Sequence, residues 1–171
     1  MTSSSGGLTD SIRQLERAID SSSGDLPNEV FLFLSRVTPL VNVDLLIQDA
    51  SHRTLLTWRA DEFYGPGWHV PGGIIRFQER AEERIRFVAH HELGAAVEFD
   101  ASPHRMLESI AKERRDRGHF ISLLYRCRLT QAPDRQLEHT VGSPLPGQWR
   151  WHSSCPSDLI AEQRFYADLM G

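Results

Sequence analysis

A chain of 171 residues, 40% of them hydrophobic, is long enough to bury one good core and too short for two ordinary domains. A formal charge of -4 at pH 7 and an isoelectric point near 6.0 exclude the global basic field that nucleic-acid and anionic-membrane binders carry, so neither nucleic acid nor a membrane is an expected partner. Cys127 and Cys155 lack ligand spacing and are too few for a disulfide framework, no apolar run reaches a membrane span, and the start MTSSSGGLTDSIRQ has no apolar h-region; the expectation is a cytoplasmic protein with reduced thiols.

Ser/Gly clusters at Ser3 to Gly7 and Ser21 to Gly24 bracket a stretch in which Leu8, Ile12, Leu15 and Ile19 recur at helical spacing. This predicts a short amphipathic helix on flexible joints, an extension over residues 1–26 ahead of a main domain over 27–171. The domain opens with a second helix: Asp25 and Pro27 supply its start, NEVFLFLSRV its apolar face and Pro39 its stop. From Leu40 the period changes to two. Val41, Val43, Leu45 and Ile47 alternate with Asn42, Asp44 and Leu46, and a DASHR turn leads to TLLTWR, which together predict a β-hairpin. Asp44 stands out, because a carboxylate inside an apolar strand is costly to bury without a partner and so predicts a paired or functional role.

Beyond the turn-rich FYGPG come a short strand WHV, the pair Gly72 and Gly73, and a strand-like IIRF. A long helix is predicted from about Glu79 to Leu93, with Gly94 as its C-terminal cap. The charged run from Lys112 to Arg117 predicts a solvated hairpin tip, and HFISLLYRCRL a central strand with Ile121, Leu123, Tyr125 and Cys127 on one face. QWRWH adds a strand with Trp149 and Trp151 sharing a face, and PSDLIAEQRFYADLM closes the chain as a helical segment packing through Leu159, Ile160, Phe165 and Leu169. The elements together predict an α/β (α+β) fold, a mixed β-sheet sandwiched between α-helices.

The segment GGIIRFQERAEERIRFVAHHELGA resembles the Nudix box, Gx5Ex7REUxEExGU with U a bulky apolar residue, over residues 73–95. Gly73, Glu79, Glu92 and Gly94 occupy motif positions; Phe87 and Val88 replace Arg-Glu, His91 replaces a Glu and Ala95 is small. Residues three and four apart lie side by side on a helix, so positions 88, 91 and 92 converge. With Val88 and His91 there, two carboxylates are lost, which predicts at most one firmly held hard cation. The same reduction marks the GDP-mannose mannosyl hydrolase branch of the Nudix superfamily. The chain resembles that branch in order as well: Thr38-Pro39-Leu40-Val41, Asp44, Leu55-Leu56 leading to Arg59, Trp68-His69-Val70-Pro71-Gly72-Gly73, His119-Phe120 and Trp149-Arg150-Trp151.

The resemblance implies a Nudix fold and a homodimer. It implies that the Gly72 carbonyl and the Glu92 carboxylate bind Mg2+, or Mn2+ in its place, and that Asp44 and Arg59 face a nucleoside diphosphate sugar. It also implies a reaction in which water attacks the anomeric carbon and releases sugar and nucleoside diphosphate, one cation sufficing to stabilise the departing diphosphate. In that branch the general base is a His in the loop before the Tyr-Arg-Trp strand. Here the corresponding position holds Pro146 and the metal-binding Gln is Leu145, which leaves His139, brought back by a longer loop, as the candidate catalytic base. Phosphate-side arginines of the branch are missing at Ile74 and Phe87; Arg76 is the candidate substitute for substrate binding, with Arg84 and Arg86 close by. Two other readings stay open: a pyrophosphohydrolase attacking phosphorus, and a catalytically silent nucleotide-binding or regulatory module.

Overall fold

The computed structural model describes residues 5–20 and 26–170. The Ser/Gly cluster from Ser21 to Gly24, the start of the first cluster, and Asp25 lie outside them. The chain divides into two compact units, one made of Met1–Leu40 with Ile110–His119 and the other of Val41–Ser109 with Phe120–Gly171. Among the described residues no helix is long and apolar enough to cross a membrane.

In the first unit, α1 (Ser5–Asp20) carries the predicted stripe, with Leu8, Ile12 and Leu15 exposed. Its start at Ser5 converts part of the expected first joint into helix. Helix α2 (Asn28–Val37) follows Pro27, whose carbonyl accepts from Phe31 N, and ends at Thr38, whose extended conformation sets up the next strand. The charged run at 112–117 is a turn, closed by Ala111 N donating to Gly118 O at 2.7 Å. It is less solvated than its charge predicts: Asp116 pairs with Arg36 Nε at 2.7 Å, Arg117 N donates to Ser35 Oγ at 3.0 Å, and the Arg117 guanidinium lies over Phe31.

The second unit is built on two sheets. Strands β1 (Leu40–Ile47), β2 (Thr54–Arg59), β3 (Gly67–His69) and β4 (Gly72–Ile74) precede helix α3 (Ala81–Leu93). Strands β5 (Val97–Phe99), β6 (Arg105–Ile110), β7 (His119–Leu129) and β8 (Trp149–His152) follow it. One sheet has the order β4-β1-β7-β5 with β6 also on β7; the other has the order β3-β2-β8. The α/β class therefore holds, with the strands shared between two sheets.

The expected β1–β2 hairpin does not form. The only β-pairing between the two strands is the isolated bridge Gln48↔Thr54 at the turn, and each is an internal strand of its own sheet. The burial of β1 explains this: all but one of its residues are buried, with Val43, Leu45 and Ile47 in one core and Leu46 in another, as in a strand covered on both faces. The DASHR turn is present, Asp49 Oδ1 accepting from Ser51 N and Arg53 N, but it carries the chain from one sheet to the other.

Helix α3 buries Ile85, Val88, Ala89 and Leu93 against the first core and ends at Gly94, whose φ of 59° is the left-handed conformation a glycine cap supplies. Glu79 falls outside the helix and closes the loop before it: its Oε2 accepts from Arg76 N at 2.8 Å and from Arg84 Nε at 2.8 Å. Strand β7 is central, as predicted, with Tyr125 and Cys127 in the first core and Leu124 in the second. The IIRF strand stops at Ile74. The closing segment Ala161–Leu169 is a 3-10 helix, and its fully buried residue is Tyr166.

Candidate active site

Strand pairing places Asp44 of β1 opposite Gly72 of β4. A side chain at position 72 is impossible there, since a Cβ would fall 2.3 Å from Asp44 Oδ1 and 2.8 Å from Val43 O. Glu92, in the last turn of α3, reaches the same point: Gly72 N donates to its Oε1 at 3.4 Å. A Cβ on Gly73 would meet Val88 Cγ2 at 2.8 Å, so the position where a Nudix box carries a carboxylate is here filled by core. His91 points outward and stacks on Phe87 at 5.2 Å.

Each carboxylate has its own set of donors. Asp44 is buried, with Asn42 Nδ2 donating to Oδ1 at 2.8 Å and the Tyr166 hydroxyl to Oδ2 at 2.6 Å; Ser122 Oγ in turn holds Asn42 Oδ1 at 3.0 Å. Glu92 Oε2 lies 3.1 Å from Thr57 Oγ1, which also lies 3.1 Å from His69 Nε2. His69 Nδ1 meets the Val70 carbonyl at 2.8 Å, so that nitrogen carries the proton and Nε2 presents a lone pair. The Thr57 hydroxyl has one proton for two acceptors and donates to one at a time.

Burial raises both acids. Desolvation moves Asp44 to about 6 against the lowering pull of Tyr166 and Asn42, and moves Glu92 to about 7, where the nearby Asp44 charge adds to the shift while Thr57, Gly72 N–H and Arg59 oppose it. His69 is lowered to about 4, by burial first and by Arg59 second, and is neutral at pH 7. Two buried acids, both raised above the ordinary carboxylate range and meeting at one glycine, mark this point as the candidate site.

Arg59, on the same face of β2 as Thr57, acts electrostatically on Asp44, Glu92 and His69. Its guanidinium is fixed by Asp61, which accepts from Nε at 2.6 Å and from Nη2, and it lies over the Tyr64 ring at 5.0 Å. Of the residues expected from sequence, the structure thus brings Asp44, Arg59, Gly72 and Glu92 together. Arg76 sits in the loop before α3, held through its backbone by Glu79. His139 is not brought to this point: it is buried, its ring 5.9 Å from Trp68, on the face of β3 opposite His69. Sequence reasoning missed Thr57, His69 and Tyr166. A threonine and a histidine interrupting the apolar runs TLLTWR and WHV were the available signals for the first two.

The donor set suits one hard cation. Mg2+ takes oxygen ligands and keeps positions for water and substrate phosphate, so one or two carboxylates beside a backbone glycine suffice. No group of three His, Cys, Asp or Glu able to hold a metal occurs among the described residues.

This fold is that of the Nudix hydrolases. No family model matches the chain. Among solved structures, the MutT Nudix hydrolase from Burkholderia pseudomallei matches with a TM-score of 0.60 at 22% identity, over 78% of this chain and 99% of that one. The MutT protein from Methanosarcina mazei Go1 matches with a TM-score of 0.57 at 16% identity, over 77% of this chain and 92% of that one. A UDP-X diphosphatase matches with a TM-score of 0.55 at 16% identity, over 95% of this chain and 77% of that one.

Proposed function

We propose that the protein is a Mg2+-dependent hydrolase of nucleoside diphosphate sugars that cleaves at the sugar carbon. The observation that supports it is the meeting of Glu92 and Asp44 at Gly72 with Arg59 alongside, in a box whose positions 88 and 91 supply no further carboxylate. Glu92 and the Gly72 carbonyl would hold the cation, which supplies positive charge for the departing diphosphate. Arg59 offers a planar fork to phosphate oxygens, its pose already set by Asp61. Asp44, locked by Tyr166 and Asn42, faces the sugar and is ionised at pH 7. Arg76 is assigned to the phosphates from the loop before α3. Assembly as a homodimer belongs to the same reading, supported by the exposed apolar side chains of α1.

A second reading, attack at phosphorus, is favoured by the likeness to the UDP-X diphosphatase, a name that describes cleavage of the diphosphate itself. Incubation with a panel of nucleoside diphosphate sugars and Mg2+, with products resolved by phosphorus NMR, separates the two. Intact nucleoside diphosphate and free sugar are the expected products. Nucleoside monophosphate with sugar phosphate would move the protein to the second reading, and absence of turnover across the panel, with Glu92→Gln indistinguishable from wild type, would make it a silent nucleotide-binding module.

A further inference from the structure

One part of the second unit has so far entered only as the support of Arg59. The loop between β2 and β3 is folded around Asp61: its Oδ1 accepts from Phe63 N at 2.9 Å and Tyr64 N at 3.0 Å, while Oδ2 holds Arg59. This turn sets the Tyr64 ring under the Arg59 guanidinium and against Phe120 of β7, with ring centroids 6.2 Å apart and planes at 73°. Phe120 is two residues from Ser122, so both project from the same face of β7, and Ser122 leads through Asn42 to Asp44. The chain of contacts therefore runs from the carboxylate pair, past Arg59, to a corner of two nearly perpendicular rings. Phe63, Tyr64 and Phe120 are all partly exposed, which a purely structural aromatic cluster in a core would not be.

We propose that the corner formed by Tyr64 and Phe120 receives the nucleobase of the substrate, one ring stacking on its face and the other meeting its edge, with Arg59 between base and cleavage point. The inference rests on the reading of the site as one for nucleoside diphosphate derivatives. Its logic is the order of groups in such a ligand: the bond to be broken lies at the carboxylates, the diphosphate at the guanidinium, and the flat ring at the far end. Base–aromatic stacking is tolerant of base identity, because every base presents a π-face. The corner therefore gives affinity for nucleotides over bare diphosphate, and only weak choice among bases.

The test uses calorimetric titration of the full chain in Mg2+ with GDP, UDP and inorganic pyrophosphate. Tyr64→Leu and Phe120→Leu should weaken GDP and UDP by about 5- to 100-fold each while leaving pyrophosphate within about twofold, and Tyr64→Phe should restore nucleotide affinity. Nucleotide affinity equal to wild type in both leucine variants overturns the inference and leaves the hydrolase reading standing. Equal losses for nucleotides and pyrophosphate also overturn it, because the rings would then act only by holding Arg59. A wild-type protein that binds neither nucleotide sinks both. Should a leucine variant fail to fold, the wild-type complex still decides: magnetisation transfer between the guanine H8 proton and the two aromatic rings is expected, and contacts from ribose protons alone overturn the assignment.

Discussion

The two faces of the β3-β2-β8 sheet use the same kinds of residue for different ends. On one face His69, Thr57 and Arg59 look toward Glu92; on the other, Trp68 packs at right angles to Trp58 and against His152 and His139. His69 and His152 are both pushed down to about 4, chiefly by burial, so both rings are neutral at physiological pH. What separates them is partnership. Both nitrogens of His69 are engaged, by Thr57 and the Val70 carbonyl, whereas His152 Nε2 is buried without a hydrogen-bond partner. One residue step along β3 thus decides whether a side chain is wired to the carboxylate pair or is a packing ring. A histidine's role follows from the face it occupies more than from its titration.

The sharpest way to break this comparison is to remove the group that defines the polar face. Glu92→Gln keeps the shape and deletes the charge, and turnover should fall by about 10²- to 10³-fold, measured as kcat at saturating Mg2+. Activity within tenfold of wild type would mean that the reaction is run elsewhere. Thr57→Val comes next: it removes the hydroxyl between Glu92 and His69 without changing volume, and Mg2+ or Mn2+ affinity should drop by about 10- to 100-fold in calorimetry, as expected for a residue that orients a ligand. An unchanged metal affinity would reduce the Thr57–His69 contact to packing.

Tyr166→Phe tests the other carboxylate. The variant leaves Asp44 buried with one donor fewer, and urea unfolding should show a loss of about 1.5–3 kcal/mol, the range for a hydrogen bond to a charged group. A smaller effect belongs to pH. Glu92 rises from 4.5 to about 7 and Asp44 from 3.8 to about 6 on folding, so the folded state binds more protons in that window, and these two acids make stability fall as pH rises toward 7 and level off above it. His69 and His152, lowered from 6.5 to about 4, contribute the opposite slope over much of the same range. The difference in Tm between wild type and Glu92→Gln, scanned in EDTA, isolates the acid: it should move against wild type from pH 4.5 to 7 and stay flat beyond. A flat difference throughout would show that Glu92 is not desolvated.

Much of the polar face was legible because its signals are local. Gly73 and Gly94 frame the box, Glu92 follows from helical register, and Asp44 announces itself as an acid in an apolar strand. Tyr166 was not legible. It meets Asp44 across 122 positions of sequence, from a 3-10 segment whose spacing suggests ordinary packing. The β1–β2 hairpin failed for a related reason: alternation shows that a strand exists but not which neighbour it takes, and the buried Leu46 on the far face of β1 was the overlooked sign of a strand covered on both sides.

His139 gives the smallest expected effect and the most pointed contrast. The sequence offers it as the base because it is the one histidine in the loop before β8, and a longer loop can in principle bring it anywhere. The fold decides otherwise: its backbone N–H donates to Trp149 O, which ties the loop along β8, and its ring is buried against Trp68. His139→Gln should therefore lower stability through lost packing while kcat changes by less than about threefold and the pH–rate profile keeps both limbs. His69→Gln supplies the partner measurement, since it disturbs Thr57 and through it Glu92, and should depress metal affinity where His139→Gln does not. If the order is reversed, with His139→Gln abolishing the limb on the acid side of the profile and His69→Gln silent, then the face that carries Trp68 is the one that performs the chemistry, and the assignment of the two faces has to be exchanged.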